Sequence, residues 1–165
     1  MKNFTYKTVT CDYASDWRNL RLEGARDFPL GFLVTLDETA AADIARCSDI
    51  LRGGHIRGVY DVEKLVGFCG YRPQQLERTK HRSEIGPFFV TRRYHGSPAA
   101  TVMMTGVIGE AKENGLEQLE LFVDTENSRA IAFYERFGFE RIATHIDGVR
   151  IEGRSRDDFF YTLRM

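Results

Sequence analysis

Apolar and polar positions alternate along FTYKTVT, residues 4–10, a run rich in β-branched side chains that predicts an opening strand. Ser15 and Asp16 then offer a helix start, and Trp17, Leu20 and Ala25 recur at helical intervals until Pro29 stops the run. A second helix is predicted over roughly residues 37–51, DETAAADIARCSDIL, closed by Gly53 and Gly54. The texture then turns to strands: HIRGVYD, a turn at Val62 to Lys64, LVGFCGYRP, a polar loop QQLERTKHR, and SEIGPFFV, an antiparallel meander. Ala99, Val102, Met103, Gly106, Val107 and Ala111 mark the buried stripe of a helix ending at Asn114 and Gly115. Leu119, Leu121 and Val123 alternate with Gln118 and Glu120 in the next strand, and a short helix runs from Asn127 to Gly138. FERIATHI and FFYTLRM read as two final strands joined by a long loop, residues 147–156, that opens with Asp147 and Gly148. The order β-α-α-β-β-β-α-β-α-β-β implies an α/β (α+β) fold, a mixed central sheet flanked by helices.

At 165 residues the chain is the size of one domain, residues 1–165, with enough length to bury a core. Lys+Arg 23 against Asp+Glu 24 leaves no basic block, which argues against a nucleic-acid partner. Cys11, Cys47 and Cys69 are odd in number and scattered, as expected of reduced thiols, and His55, His81, His95 and His145 have no metal-ligand spacing. MKNFTYKTVT has no apolar signal core and no run is long enough to span a bilayer, so no membrane association is expected and the cytoplasm is the expected compartment.

The stretch YHGSPAATVMM, Tyr94 to Met104, sits between a predicted strand and a predicted helix. A helix start offers unpaired N–H groups and the positive end of the helix dipole, an arrangement that binds phosphate without charged side chains. With a helix beginning near Ser97 or Pro98, the amides of Gly96, Ser97, Ala99 and Ala100 could converge on one anion. On its own chemistry the loop reads most simply as an ordinary strand-to-helix turn. Downstream, VDTENSRAIAFYERFGFERI places Asn127, Ala130 and Tyr134 on one helical face, since they are three and four residues apart. Core packing accounts for Phe133, Phe137 and Phe139 more readily than for a polar cap and a phenol on a shared stripe.

The run N-S-R-A-I-A-F-Y-E-R-F-G-F, residues 127–139, resembles a motif of the GNAT N-acetyltransferases, N-x-x-A-x-x-h-Y-x-x-x-G-F with h apolar. It follows, as in that family, a loop resembling R/Q-x-x-G-x-G/A; here His95 stands at the Arg/Gln position, Pro98 at the central glycine and Ala100 at the final small residue. R-L-E-G-A at 21–25 and the closing D-D-F-F-Y-T-L also resemble small members of the family, so the likeness spans essentially the whole chain.

The resemblance implies an acetyl-CoA-dependent transfer of an acetyl group directly to a primary amine of a small molecule or peptide. It places the pyrophosphate of coenzyme A on His95, Gly96, Ser97, Pro98, Ala99 and Ala100, and the pantetheine arm on the strand Phe88, Phe89 and Val90. Loss of one N–H at Pro98 costs about 1–2 kcal/mol of cofactor binding if that donor is used. His95 retains a hydrogen-bond donor, and its protonated form would add charge near the pyrophosphate. Tyr134 matches the family's tyrosine near the sulfur and can donate to the departing thiolate, or it is an amphipathic core tyrosine. Asn127 is an N-cap, a cofactor contact beside Ala130, or both. Glu84 matches a carboxylate that removes the amine proton through water; otherwise it is a solvated strand residue. Asp157 and Asp158 are alternatives for holding a cationic amine, or belong to an exposed turn. A noncatalytic acyl-CoA-binding or regulatory module with the same fold is the competing function, and a homodimer paired at a sheet edge is compatible with the resemblance.

Overall fold

The computed structural model describes residues 3–165; Met1 and Lys2, the start of the polar N-terminal stretch, lie outside the described residues. The strands are β1 (Phe4–Thr8), β2 (Ile56–Asp61), β3 (Lys64–Pro73), β4 (Arg82–Val90), β5 (Gln118–Asp124), β6 (Glu140–Ile151) and β7 (Arg154–Arg164). The helices are α1 (Ala14–Asp27), α2 (Leu36–Ala41), α3 (Ile44–Arg52), α4 (Ala99–Glu113) and α5 (Ser128–Arg136). The strands form one sheet in the order β1-β2-β3-β4-β5-β7-β6. This is the mixed, helix-flanked sheet that the pattern implies, antiparallel except where β4 meets β5.

Two cores lie on opposite faces of the sheet, as the period-2 alternation of strand side chains requires. On one face Trp17, Leu20, Cys47 and Leu51 from α1 and α3 pack on Tyr60, Phe68 and Phe89. On the other, Met103, Met104, Val107 and Ala111 of α4 meet Val59, Val66, Leu119 and Leu121, with Tyr134 and Phe139 beside them. Met103, Val107 and Ala111 are fully buried, and each large side chain of this stripe contributes about 1.5–3 kcal/mol of transfer free energy.

Helix α4 is further tied to the sheet by charge. Arg57 on β2 donates to Glu110 through Nε (2.8 Å) and Nη2 (2.7 Å), and Tyr6 on β1 donates its hydroxyl to the same carboxylate at 2.5 Å.

The predicted second helix is two helices. Asp43 interrupts it in an extended conformation, and its carboxylate accepts from the Arg46 N–H at 2.8 Å, which caps α3. Thr35 and Glu38 form a capping box at the start of α2. Arg18 of α1 takes the carbonyls of Ala40 and Ala42 where α2 ends. The predicted long loop at 147–156 is instead a hairpin whose turn is Glu152-Gly153, both at positive φ (51° and 76°), the geometry of a two-residue hairpin turn. Asp147 forms a bulge inside β6, bonded to the Arg150 guanidinium and, through its N–H, to Asp157.

One departure from sheet regularity positions the site. The parallel β4–β5 pairing covers only Arg82–Glu84 against Gln118–Glu120, and beyond it the strands part. β4 bulges there against β3, with a register shift between Cys69 and Tyr71. A Cβ on Gly70 would stand 2.1 Å from the Gly86 carbonyl oxygen, so only glycine admits this close approach.

Candidate active site

Where β4 leaves β5, a cleft of about 760 Å³ opens between the end of β4, the start of α4, one face of α5 and the segment 27–32 after α1. That volume is in the usual range for a small-molecule site. Phe88, Phe89 and Val90 line it, on a stretch of β4 without a strand on its β5 side. Phe28, Pro29, Leu30 and Phe32 form the facing wall. Phe32 lies against Gly24, where any Cβ would come within 2.1 Å of the ring, so α1 and this wall pack directly.

The start of α4 forms one end of the cleft. The Ser97 N–H donates to the Tyr94 carbonyl at 3.1 Å and the Ala99 N–H to Ser97 Oγ at 3.3 Å, so these two expected donors are already used. Gly96, Ala100 and Thr101 line the cleft, and their N–H groups have no acceptor among the described residues. The loop amides left free at the cleft among the described residues are therefore those of Gly96, Ala100 and Thr101. Thr101 went unnoticed in the sequence because donor availability depends on which neighbouring carbonyls turn inward. Gly96 sits at φ +79°, which suits glycine. Pro98 caps α4 in a helical conformation and is exposed, while Ala99 is fully buried in the α4 core; neither lines the cleft.

Helix α5 forms the other wall. Asn127 caps it, its side-chain oxygen accepting from the Ala130 N–H at 3.4 Å, and both residues also line the cleft. Tyr134 is 9% exposed and packed among Phe88, Phe133 and Phe139. Its hydroxyl has no hydrogen-bond partner among the described residues, yet the residue lines the cleft. Burial raises its pKa well above the ordinary phenol value, with a smaller contribution from Cys69 behind it. The Cys69 thiol is itself pushed up to about 12 by burial. Tyr134 is therefore protonated across the physiological range.

His95 lies between the loop and α5. Its Nε2 is 2.8 Å from the Val90 carbonyl oxygen, its Nδ1 is 2.9 Å from Arg129 Nη1, and Phe28 packs on the ring at 5.4 Å. Burial, and then Arg129 and Arg92, lower its pKa, against the bond to Val90 and the charge of Glu23. The protonated ring that would add charge near a pyrophosphate is thus disfavoured, and positive charge at this end of the cleft comes from Arg129, to which the motif assigned no role. Glu23 was likewise missed; its carboxylate accepts from the Thr91 hydroxyl (2.7 Å) and the Arg92 N–H (2.9 Å), fastening α1 to the loop after β4.

Glu84 lies outside the cleft, exposed on the part of β4 still paired with β5. Asp157 and Asp158 occupy the middle of the β6–β7 hairpin rather than a turn, and neither lines the cleft. Asp158 is 8% exposed, and burial together with Asp124 raises its pKa. Among the described residues no group of three or more His, Cys, Asp or Glu could hold a metal ion, and no helix is long and apolar enough to cross a membrane.

The sequence model of the acetyltransferase (GNAT) family matches residues 16–139. An uncharacterized N-acetyltransferase of Methanocaldococcus jannaschii is 35% identical over 79 residues, 47% of this chain and 35% of that protein. A mycothiol acetyltransferase of Brachybacterium faecium is 31% identical over 78 residues, 47% of this chain and 24% of that protein. The matched segment thus spans about a third or less of these curated relatives. Among solved structures, the ribosomal-protein-alanine N-acetyltransferase of Brucella melitensis superposes with a TM-score of 0.78 at 19% identity, covering 98% of this chain and 99% of that one. The phosphinothricin acetyltransferase of Sinorhizobium meliloti, solved in complex with acetyl-CoA, gives 0.81 at 14% identity over 100% and 89% of the two chains. At such identities the likeness is one of fold.

Proposed function

The chain belongs to the acetyltransferase (GNAT) family, and from that premise we propose that it is an N-acetyltransferase that moves an acetyl group from acetyl-CoA directly to a primary amine of a small molecule or peptide. A single catalytic domain spans residues 1–165 in this reading. The observation that carries it is one cleft with free amides at Gly96, Ala100 and Thr101 and a guanidinium at Arg129 toward one end, and an unpartnered buried phenol at Tyr134 on its wall. Those donors suit a pyrophosphate, and the only carboxylate lining the cleft among the described residues, Asp27, is bonded to Arg26 at 2.9 Å.

When bound, acetyl-CoA supplies an acyl thioester open to attack by a neutral amine. The unpaired edge of β4 at Phe88–Val90 offers backbone groups to the pantetheine amides and an N–H toward the thioester oxygen. Tyr134 donates a hydrogen bond to the departing sulfur. Because its pKa is raised while a thiol titrates near 8.5, the phenol stabilises that sulfur without surrendering its proton fully. The aromatic wall Phe28–Phe32 bounds the side from which the amine approaches.

Glu84 is the base in this scheme, acting through water from outside the cleft. Glu84→Gln is expected to lower kcat by about tenfold or more at neutral pH with little change in KM for acetyl-CoA. An unchanged kcat removes Glu84 from the mechanism.

The reading is tested by following free thiol from acetyl-CoA with polyamines, amino acids, aminoglycosides and peptides as acceptors. Amine-dependent release supports it. Tight coenzyme binding without turnover on any amine assigns the chain instead to noncatalytic acyl-CoA binding or regulation.

A further inference from the structure

Both ring nitrogens of His95 are engaged, one by the Val90 carbonyl and one by Arg129. A guanidinium has only N–H donors and keeps its charge at every physiological pH. Nδ1 must therefore be the lone-pair nitrogen, and the single ring proton sits on Nε2, donated to Val90. One tautomer of the neutral ring satisfies both contacts, and no other protonation state does.

Arg129 belongs to the exposed first turn of α5, where a long side chain has many rotamers to lose on ligand binding. The bond to His95 removes part of that cost in advance. It also ties α5 to the loop that runs into α4, so the guanidinium and the free amides of Gly96, Ala100 and Thr101 line one cleft.

We propose that His95 is a positioning residue for the cofactor: its neutral ring, protonated on Nε2, holds the Arg129 guanidinium in the cleft with the free amides at the start of α4, where a pyrophosphate is gripped. The proposal rests on the reading that this cleft binds a coenzyme A thioester.

Protonation of the ring would set an N–H of Nδ1 against the N–H of Arg129, exchanging a hydrogen bond for like-charge repulsion. The charged groups around the ring are Arg129 from α5, Arg92 from the turn after β4 and Glu23 from α1. Glu23 is engaged by Thr91 and the Arg92 N–H, and the Arg92 guanidinium lies 5.0 Å over the Phe28 ring. The lowered pKa described above keeps the ring neutral at pH 7, and acidification releases Arg129.

The test is calorimetric titration with dephospho-CoA, which lacks the 3′-phosphate that would titrate in the same range as histidine. The wild-type Kd is expected to rise about tenfold between about pH 7.5 and about pH 5. His95→Ala and Arg129→Met should each lose about tenfold at the higher pH and show no pH dependence. His95→Asn places Oδ1 where Nδ1 accepts from Arg129; it should recover most of the affinity that His95→Ala loses, without the pH slope. Wild-type affinity that holds or improves on acidification, or a slope that persists in His95→Asn, overturns the proposal. The tautomer is read separately by nitrogen NMR of the unliganded protein. An Nδ1–H ring overturns the positioning role by itself, whereas an Nε2–H ring with no nucleotide binding in any variant overturns the coenzyme reading and the role built on it.

Discussion

Tyr134→Phe is expected to lower kcat by about a hundredfold while leaving KM for acetyl-CoA within about twofold. The hydroxyl is the only group removed, and among the described residues it bonds to nothing, so the packing against Phe88, Phe133 and Phe139 survives. Burial has raised its pKa above that of a thiol, which makes the phenol a hydrogen-bond donor to developing negative charge rather than a complete proton donor. The loss should therefore fall near the lower end of the range for acid catalysis. Steady-state kinetics decide the matter when paired with thermal unfolding: an unchanged melting temperature with collapsed turnover marks a chemical role, and unchanged turnover returns Tyr134 to the core.

Glu110→Ala is expected to destabilise the fold by about 3 kcal/mol, read from urea unfolding. The substitution strands the Arg57 guanidinium, whose side chain is 10% exposed, and removes the acceptor of the Tyr6 hydroxyl. The upper end of the range for broken buried pairs is not reached because the Glu110 side chain keeps 25% exposure and water can replace part of what is lost. The bond to Arg57 is the largest cause of the lowered Glu110 pKa. A depressed carboxyl contributes stability that is fully present above its unfolded value, about 4.3, and is lost as pH falls through the lower folded value. The gap between wild type and variant should accordingly hold at neutral pH and close below about pH 4. A loss under about 1 kcal/mol would mean that apolar packing alone seats α4 on the sheet. Because α4 presents the amides of Ala100 and Thr101, the same variant should also bind acetyl-CoA less well.

The sheet, its helical layers and the two helix starts beside the cleft were legible because each has a local cause. Ala99, Met103, Val107 and Ala111 recur at helical spacing and are all fully buried. Asn127, Ala130 and Tyr134 share a face in the sequence and line one cleft in the structure. What was hidden depends on atoms distant in sequence or on a choice between equal local options. Asp43 lies in a helix-forming run, and nothing nearby says that its carboxylate caps a new helix instead of continuing the old one. Asp147-Gly148 is as good a turn signal as Glu152-Gly153, and the β6–β7 register decides between them. The partnership of His95 with Arg129 joins residues 34 apart, and Glu23 reaches Thr91 across 68, separations that no motif spacing encodes. Glu84 has the expected residue type on the expected strand, but the strands part only beyond it, which leaves it outside the cleft.

The most direct test is calorimetric titration of the protein with acetyl-CoA at neutral pH. Saturable heat at one site per chain, weakened when Arg129 is replaced by Met, is the predicted result. No heat and no rise in melting temperature at roughly millimolar ligand would contradict the assignment of this cleft to a coenzyme A thioester.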